Sequence, residues 1–285
     1  MNKSIPVLII IFKRPDLTEK LINRLREANI KELYVFADGP RNESEKNKCD
    51  ETRAEIEKID WDCKVYENYS DINLGCGKGP ETAISWFFNN VESGVVLEDD
   101  CLPDISFFSF CSEVLEKYKN DYQVMFVNGS NFTAKNYTSN TYRFSHLFNT
   151  TGWASWARAW RLYDNQMKGF NSLRSINEFS RLFPDNYKYF MPLLQNVFDN
   201  KEKINDVWDV FWATSCHINM GISIQPEVNL VTNIGFGRED STHTKEIEEK
   251  RIVKSGKFKF PIQHPENRYI NKIIDSQVVR LTHTN

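Results

Sequence analysis

The sequence predicts an α/β fold: a mixed, mainly parallel sheet flanked by helices. Two observations predict it. Short continuous runs of β-branched and aromatic residues recur through the first hundred positions, as in strands buried on both faces. Segments with apolar residues at helical spacing separate them, and such alternation is the signature of βαβ units.

The elements follow in order. Residues 6–12, Pro-Val-Leu-Ile-Ile-Ile-Phe, form the first strand, and residues 16–29 a helix with Leu17, Leu21, Leu25 and Ala28 on one face behind a Pro-Asp start signal. Residues 33–37 are a second strand, 42–59 a charged helix and 64–66 a weak third strand. Residues 81–90 form a helix and 94–97 a fourth strand. Beyond about residue 125 the pattern loosens: a strand over 125–127, a polar Asn-rich stretch, a Trp-rich segment over 152–160, an irregular helical region, the segment 206–212, a strand pair over 221–231 broken by Pro226, and a glycine-containing loop over 233–244. Residues 1–125 are read as one half of a single domain, 126–245 as its other half and 246–285 as a tail that wraps it. That tail carries eight Lys and Arg against five Asp and Glu, so a contact with an anionic membrane surface is a weaker alternative.

Composition narrows the function classes. The chain has 285 residues, 40% of them hydrophobic and 13% aromatic, with a net charge of -3; this excludes a disordered chain and disfavours general nucleic-acid binding. Its six cysteines show no C-x-x-C pair, so zinc ribbons and disulfide mini-domains are set aside and reduced thiols are expected. The apolar run 7–12 is far short of the ~20 residues that cross a bilayer, and Lys13-Arg14 follows it where a signal peptide would show a cleavage site. A cytoplasmic protein is expected, with peripheral contact at the inner membrane face as the outer limit.

The strand ends carry the chemistry. Strand one runs into Lys13-Arg14, strand two into Asp38-Gly39-Pro40, strand three into residues 73–79 and strand four into Glu98-Asp99-Asp100. In open parallel sheets the ligand crevice lies beyond the carboxyl ends of the strands. Three successive carboxylates repel one another unless a cation offsets them, and hard oxygen donors suit Mn²⁺ or Mg²⁺; an acidic loop is the plainer alternative. Along an extended chain Glu98 and Asp100 share one face and Asp99 takes the other. The run Gly75-Cys-Gly-Lys78-Gly79 fits neither the Walker nor the dinucleotide pattern and reads as a turn opening a helix at Pro80-Glu81, near a ligand at most. Trp153, Trp156 and Trp160 have the spacing of one helical face, where core packing outweighs sugar stacking. Asp206 and Asp209 flank Trp208 three residues apart, so either is a candidate general base; a solvated helix start explains them equally well. Cys216 and His217 belong to the core.

Taken in order, residues 6–14, 36–38, 95–104 with Phe107-Phe108, Gly152-Trp153, Trp208-Asp209, Pro226-Glu227, Phe236-Gly237 and Ser241-Thr242-His243 resemble the GT-A fold glycosyltransferases. The likeness is to inverting β-1,2-N-acetylglucosaminyltransferases and their bacterial surface-glycan relatives. The resemblance implies a GT-A fold with residues 1–125 as the nucleotide-sugar-binding half and 126–245 as the acceptor-binding and catalytic half, a UDP-sugar or other nucleotide-diphosphate sugar donor, a glycan or glycolipid acceptor in bacterial surface polysaccharide synthesis, Mn²⁺ or Mg²⁺ as cofactor, and no nucleic-acid partner. It implies Arg14 and Asp38 at the nucleoside, Asp100 on the metal, Glu98 and Asp99 at donor sugar and ribose, Asp209 as catalytic base, and Ser241 and Thr242 closing over the diphosphate, with Lys78, Gly152, Trp153 and Trp208 as further donor contacts. The basic residues that family carries before the acidic motif are replaced by Gly79-Pro80-Glu81-Thr82. A sugar-nucleotide pyrophosphorylase-like nucleotidyltransferase and a non-catalytic glycan-binding protein are the alternatives; the first would need a Gly-rich loop after strand one, where this chain has Phe12-Lys-Arg-Pro-Asp16.

Overall fold

The computed structural model describes residues 5–133, 141–171, 180–181, 187–204, 207–241 and 253–283. Among the described residues eight strands form one sheet in the order β3-β2-β1-β4-β8-β6-β9-β7. They are β1 (Val7–Ile11), β2 (Glu32–Ala37), β3 (Lys64–Tyr69), β4 (Ser93–Glu98), β6 (Val124–Asn128), β7 (Tyr142–Ser145), β8 (Trp153–Trp156) and β9 (Ile222–Pro226). The pairs β3/β2, β2/β1, β1/β4 and β6/β9 are parallel, whereas β8 and β7 run against their neighbours. The expected α/β class with a mainly parallel sheet is therefore observed. A separate two-stranded ribbon pairs β5 (Cys101–Pro103) with β10 (Val231–Asn233).

Alternation along the strands places the core. In β1, Val7, Ile9 and Ile11 face one hydrophobic cluster, and Leu8 and Ile10 face the other. The first cluster takes in Leu21, Ile22 and Leu25 of α1 (Pro15–Glu27), Ile56 of α2 (Glu43–Glu57) and Phe107, Phe110 and Val114 of α4 (Ser106–Lys117). The second holds Ile84 and Phe87 of α3 (Gly75–Asn90), Trp160 of α5 (Ala157–Trp160), and Trp208 and Trp212 of α7 (Trp208–Ile218). Each such side chain withdrawn from water contributes about 1.5–3 kcal/mol, which is why β1 carries no polar residue. A third cluster joins Met191, Leu194 and Val197 of α6 (Tyr187–Asn200) to Phe211 of α7.

Several sequence expectations change. The Trp-rich segment is a strand followed by one helical turn, not a continuous helix. A spacing of three in a strand sends side chains to opposite faces, so Trp153 packs in the second cluster and Trp156 in the first. The glycine run is not a turn before the helix but its first turn, since α3 begins at Gly75 and holds Pro80 inside it. The 64–66 strand extends to Tyr69. The pair over 221–231 separates, β9 joining the large sheet and β10 the ribbon. The division at residue 125 falls within β6 and the sheet joins strands from both sides of it; the one at 245 lies outside the described residues. Among the described residues no helix is long and apolar enough to cross a membrane.

The tail lies along the edge strand β7. Gln263 N–H donates to Thr141 Oγ1 at 3.0 Å, His264 meets the Tyr142 hydroxyl at 3.0 Å, and Ile270 bridges to Phe144. The C-terminal helix α8 (Lys272–His283) is anchored by Asp275, which accepts from Arg143 at 2.7 Å, Ser145 Oγ at 2.7 Å and His146 N–H at 2.9 Å.

Candidate functional site

The carboxyl ends of β1 and β4 lie side by side because these strands pair in parallel, Ile10 opposite Glu98. The connectors that leave them, Lys13-Arg14 and Asp99-Asp100, therefore meet. Arg14 donates through Nε to Asp99 Oδ2 at 3.0 Å and through Nη2 to Asp99 Oδ1, a two-point fork, and through Nη1 to Asp100 Oδ2 at 3.3 Å. The extended-chain expectation that Asp99 and Asp100 face opposite ways is corrected: the chain turns after Glu98, and both aspartates share one guanidinium.

Charge balance in this corner is negative. Burial opposes the charge on Arg14, but Asp99 and Asp100 outweigh it and hold the guanidinium firmly protonated. Burial pushes the Glu98 carboxyl up, and Asp100, Asp99 and the more distant Asp209 push it further, with Arg14 opposing. Asp99 is likewise raised by burial, against the pull of Arg14. One guanidinium thus faces three carboxylates with little water to screen them, and an added cation would relieve the repulsion.

Asp209 comes near enough from α7 for its charge to reach this corner. It sits in the first turn of α7, exposed, with Oδ1 accepting from Val210 N–H at 2.9 Å. Its charge is felt at both Glu98 and Tyr163. Trp208, beside it, is buried 6.1 Å from Trp153 in an aromatic wall completed by Trp160 and Tyr163, stacked at 4.5 Å.

The β5–β10 ribbon brings a loop over the acids. Ile234 N–H donates to Asp100 O at 2.8 Å, and a Cβ on Gly235 would stand 2.6 Å from Asp100 Oδ2, so only glycine lets this backbone lie on that carboxylate. Further along, Arg238 binds Asp16 at 2.8 Å and Asp240 at 2.8 Å, and the charge of Asp240 reaches Asp99. Ser241 is buried, its N–H donating to Arg238 O at 3.2 Å; Thr242 and Asp206 lie outside the described residues.

Asp38 lies at the same end of the sheet, at the end of β2, with its carboxylate fully engaged. Oδ1 accepts from Gly39 N–H at 2.9 Å and Leu74 N–H at 2.8 Å; Oδ2 accepts from Gly75 N–H at 3.0 Å and Asn73 Nδ2 at 3.1 Å. It caps α3, whose own N-cap residue Leu74 offers no side chain for the purpose. Burial raises its pKa while those N–H groups oppose the rise.

The remaining residues are placed differently. Lys78 projects from α3 into solvent and pairs with Glu81 at 2.8 Å. Gly152, at φ +60°, accepts from Gly129 N–H at 2.8 Å and packs on Val231. Trp153 is 1% exposed and stacked on Phe126 at 4.9 Å, a core residue behind the crevice. The structure therefore brings together Arg14, Glu98, Asp99 and Asp100, lets the charge of Asp209 reach Glu98, and leaves Lys78 apart. Sequence reasoning passed over Arg238, Asp240 and Tyr163. Only the position of Arg238 directly after Gly237 hinted at a latch.

The donor set can be tested for a metal. Among the described residues no three His, Cys, Asp or Glu side chains converge as a complete ligand set. Asp100 alone, half-buried beside a surplus of negative charge, fits a divalent cation whose remaining positions are filled by a ligand's oxygens and water.

No family model matches the chain, and no curated protein matches it in sequence. Among solved structures it is similar to 4-diphosphocytidyl-2C-methyl-D-erythritol synthase of Anaerococcus prevotii, with TM-score 0.36 and 10% identity over 56% of this chain and 76% of that one. It is also similar to the glycosyltransferase GlyE of Streptococcus pneumoniae, with TM-score 0.30 and 12% identity over 75% of this chain and 63% of that one. The apo form of GlyE gives TM-score 0.32 and 10% identity over 76% of this chain and 62% of that one. At such scores and identities the likeness does not bear on activity.

Proposed function

We propose that the chain is a metal-dependent inverting glycosyltransferase that moves a sugar from a nucleotide-diphosphate sugar to a hydroxyl of a glycan or glycolipid, in bacterial surface polysaccharide synthesis. One observation carries the reading: Arg14, Asp99 and Asp100 meet at the carboxyl ends of β1 and β4, and the charge of Asp209 reaches Glu98 beside them. A carboxylate set beside a guanidinium and a further, exposed carboxylate suit a reaction that needs charge stabilisation at the leaving group and a base at the nucleophile.

Asp100 would hold Mn²⁺ or Mg²⁺, which when bound offsets the charge of the departing diphosphate. Arg14 would orient the acids and meet the nucleotide side of the donor. Asp209 would accept the proton of the acceptor hydroxyl as that oxygen bonds to the sugar C1 and the C1–O bond to the diphosphate breaks, inverting the carbon. The resemblance of the acidic motif supports a UDP-sugar donor, and the run Gly79-Pro80-Glu81-Thr82, where that family carries basic residues, sets no particular sugar. The chain leaving β1 enters α1 at Pro15 without a Gly-rich loop, which disfavours a nucleotidyltransferase.

The test is product formation from a panel of nucleotide sugars with wild type and Asp209→Asn. The variant should lose about 10²–10⁴ in turnover with nucleotide affinity nearly intact. Full activity in Asp209→Asn would sink the base assignment, and Asp206 would be tried next. Glycan affinity that needs neither nucleotide nor metal would favour a binding protein.

A further inference from the structure

Ten large apolar side chains are exposed among the described residues, and four of them, Phe260, Tyr269, Ile273 and Leu281, fall within residues 253–283, the stretch that passes from α4 onto β7 and into α8. Scattered exposed apolar residues are ordinary; this grouping is not scattered. On α8 the residues Ile273, Gln277 and Leu281 recur every fourth position and are all exposed, whereas Ile274, Val278 and Val279 on the opposite side are buried. The helix cannot roll to hide the outer pair. Asp275 is 1% exposed and tied to Arg143, Ser145 and the His146 amide, and breaking a buried pair of this kind is strongly destabilising.

The same stretch is basic. Residues 253–283 hold six Lys and Arg, with Lys254, Lys257, Lys259 and Lys272 all exposed, against the exposed Glu266 and the buried Asp275. The chain as a whole carries -3, so an anionic surface repels most of the molecule and attracts this stretch of it. Apolar side chains on one helical face, flanked by lysines and by aromatics, match the chemistry of a bilayer interface, where lysines reach the headgroups and apolar groups enter the acyl boundary.

The stretch leaves Asn229 and the start of α4, where Phe258 N–H donates to Ser106 Oγ at 2.8 Å, reaches Tyr142 at His264, and ends in α8, tied by Asp275 to Ser145 and His146. We propose that residues 254–281 seat the protein on an anionic phospholipid bilayer. The proposal stands on the tail alone and survives if the transferase reading fails.

The experiment is co-sedimentation of the full chain with vesicles of phosphatidylcholine alone and of phosphatidylcholine mixed with phosphatidylglycerol, across a salt series. The protein should pellet with the anionic vesicles, come off as salt rises, and stay in solution with neutral ones. Lys254→Gln, Lys257→Gln and Lys259→Gln should each weaken partitioning roughly five-fold, and Ile273→Ser and Leu281→Ser roughly ten-fold each. All five positions are exposed, so thermal melts should be unchanged and loss of binding cannot be loss of fold. Equal partitioning onto both vesicle types, no partitioning at all, or partitioning indifferent to the five substitutions overturns the proposal. So does a dimer in solution that Ile273→Ser dissociates, which would assign the face to a second copy of the chain.

Discussion

Replacing Asp38 separates the two roles its position allows. Asp38 is 7% exposed, and its carboxylate accepts four hydrogen bonds, two of them from the Leu74 and Gly75 amides that open α3. Asp38→Ala removes an N-terminal cap supplied from another element, about 1 kcal/mol. It also strands the Gly39 amide, about 1–3 kcal/mol for a buried donor. Asn73 keeps its bond to Gly39 O at 2.8 Å and adds little. The sum is about 2–4 kcal/mol, or roughly 5–10 °C in Tm for a chain of this size. Asp38→Asn keeps one acceptor oxygen but turns an amide NH2 toward the donors on the other side, so it should lie between wild type and alanine. Urea denaturation measures the loss, and amide exchange at Leu74 and Gly75 localises it. Unchanged stability in Asp38→Ala, or equal protection of those two amides, would refute the cap. A variant that melts like wild type yet loses nucleotide would return Asp38 to the ligand.

Three further outcomes are expected. Gly235→Ala should displace the Asp100 carboxylate, because its Cβ would lie 2.6 Å from Oδ2 and 2.8 Å from Cβ of that residue; metal-dependent nucleotide binding measured by calorimetry should fall far more than Tm, and undiminished binding would remove Asp100 from the site. Arg238→Ala should free the loop by releasing Asp16 and Asp240, so proteolysis within 234–241 should speed up while stability drops by less than about 1 kcal/mol; an unchanged cleavage rate contradicts the latch. Burial lowers the pKa of His217 to about 4, and its Nε2 lies 2.9 Å from His146 O. Because the folded value lies below the ordinary one, the unfolded chain binds the proton more tightly. The stabilisation is therefore whole above about pH 6.5, is lost as pH falls toward 4, and amounts to about 3 kcal/mol. His217→Phe should flatten that limb of the stability–pH curve, and an unaltered limb would show that His217 does not set it.

Much of the first half was legible because its strands are buried on both faces. Val7–Ile11 needs apolar residues at every position, and such a run is visible without a partner in hand. The antiparallel strands were not. β8 reads as a helix because three tryptophans at spacings of three and four mimic one, and only pairing with β4 and β6 decides otherwise. The α3 start was missed for a related reason: glycines are poor helix formers, and the cap that stabilises them comes from Asp38, thirty-seven positions before Gly75. The acid corner was legible as a motif, since Glu98-Asp99-Asp100 follows a buried strand. Its geometry was not, because the turn that gives both aspartates to Arg14 depends on the ribbon formed with residues 231–233. Asp240 entered the same field through a loop with no regular pattern.

The central claim is that the corner formed by Arg14, Asp99 and Asp100 takes a nucleotide diphosphate through a divalent cation. A crystal of the protein with uridine diphosphate and Mn²⁺ tests it directly through the anomalous signal of manganese. The account expects one peak against the Asp100 carboxylate with diphosphate oxygens on its far side, and the same crystals of Asp100→Ala without it. A nucleotide bound elsewhere in the wild type, or a peak that persists in the variant, would contradict it.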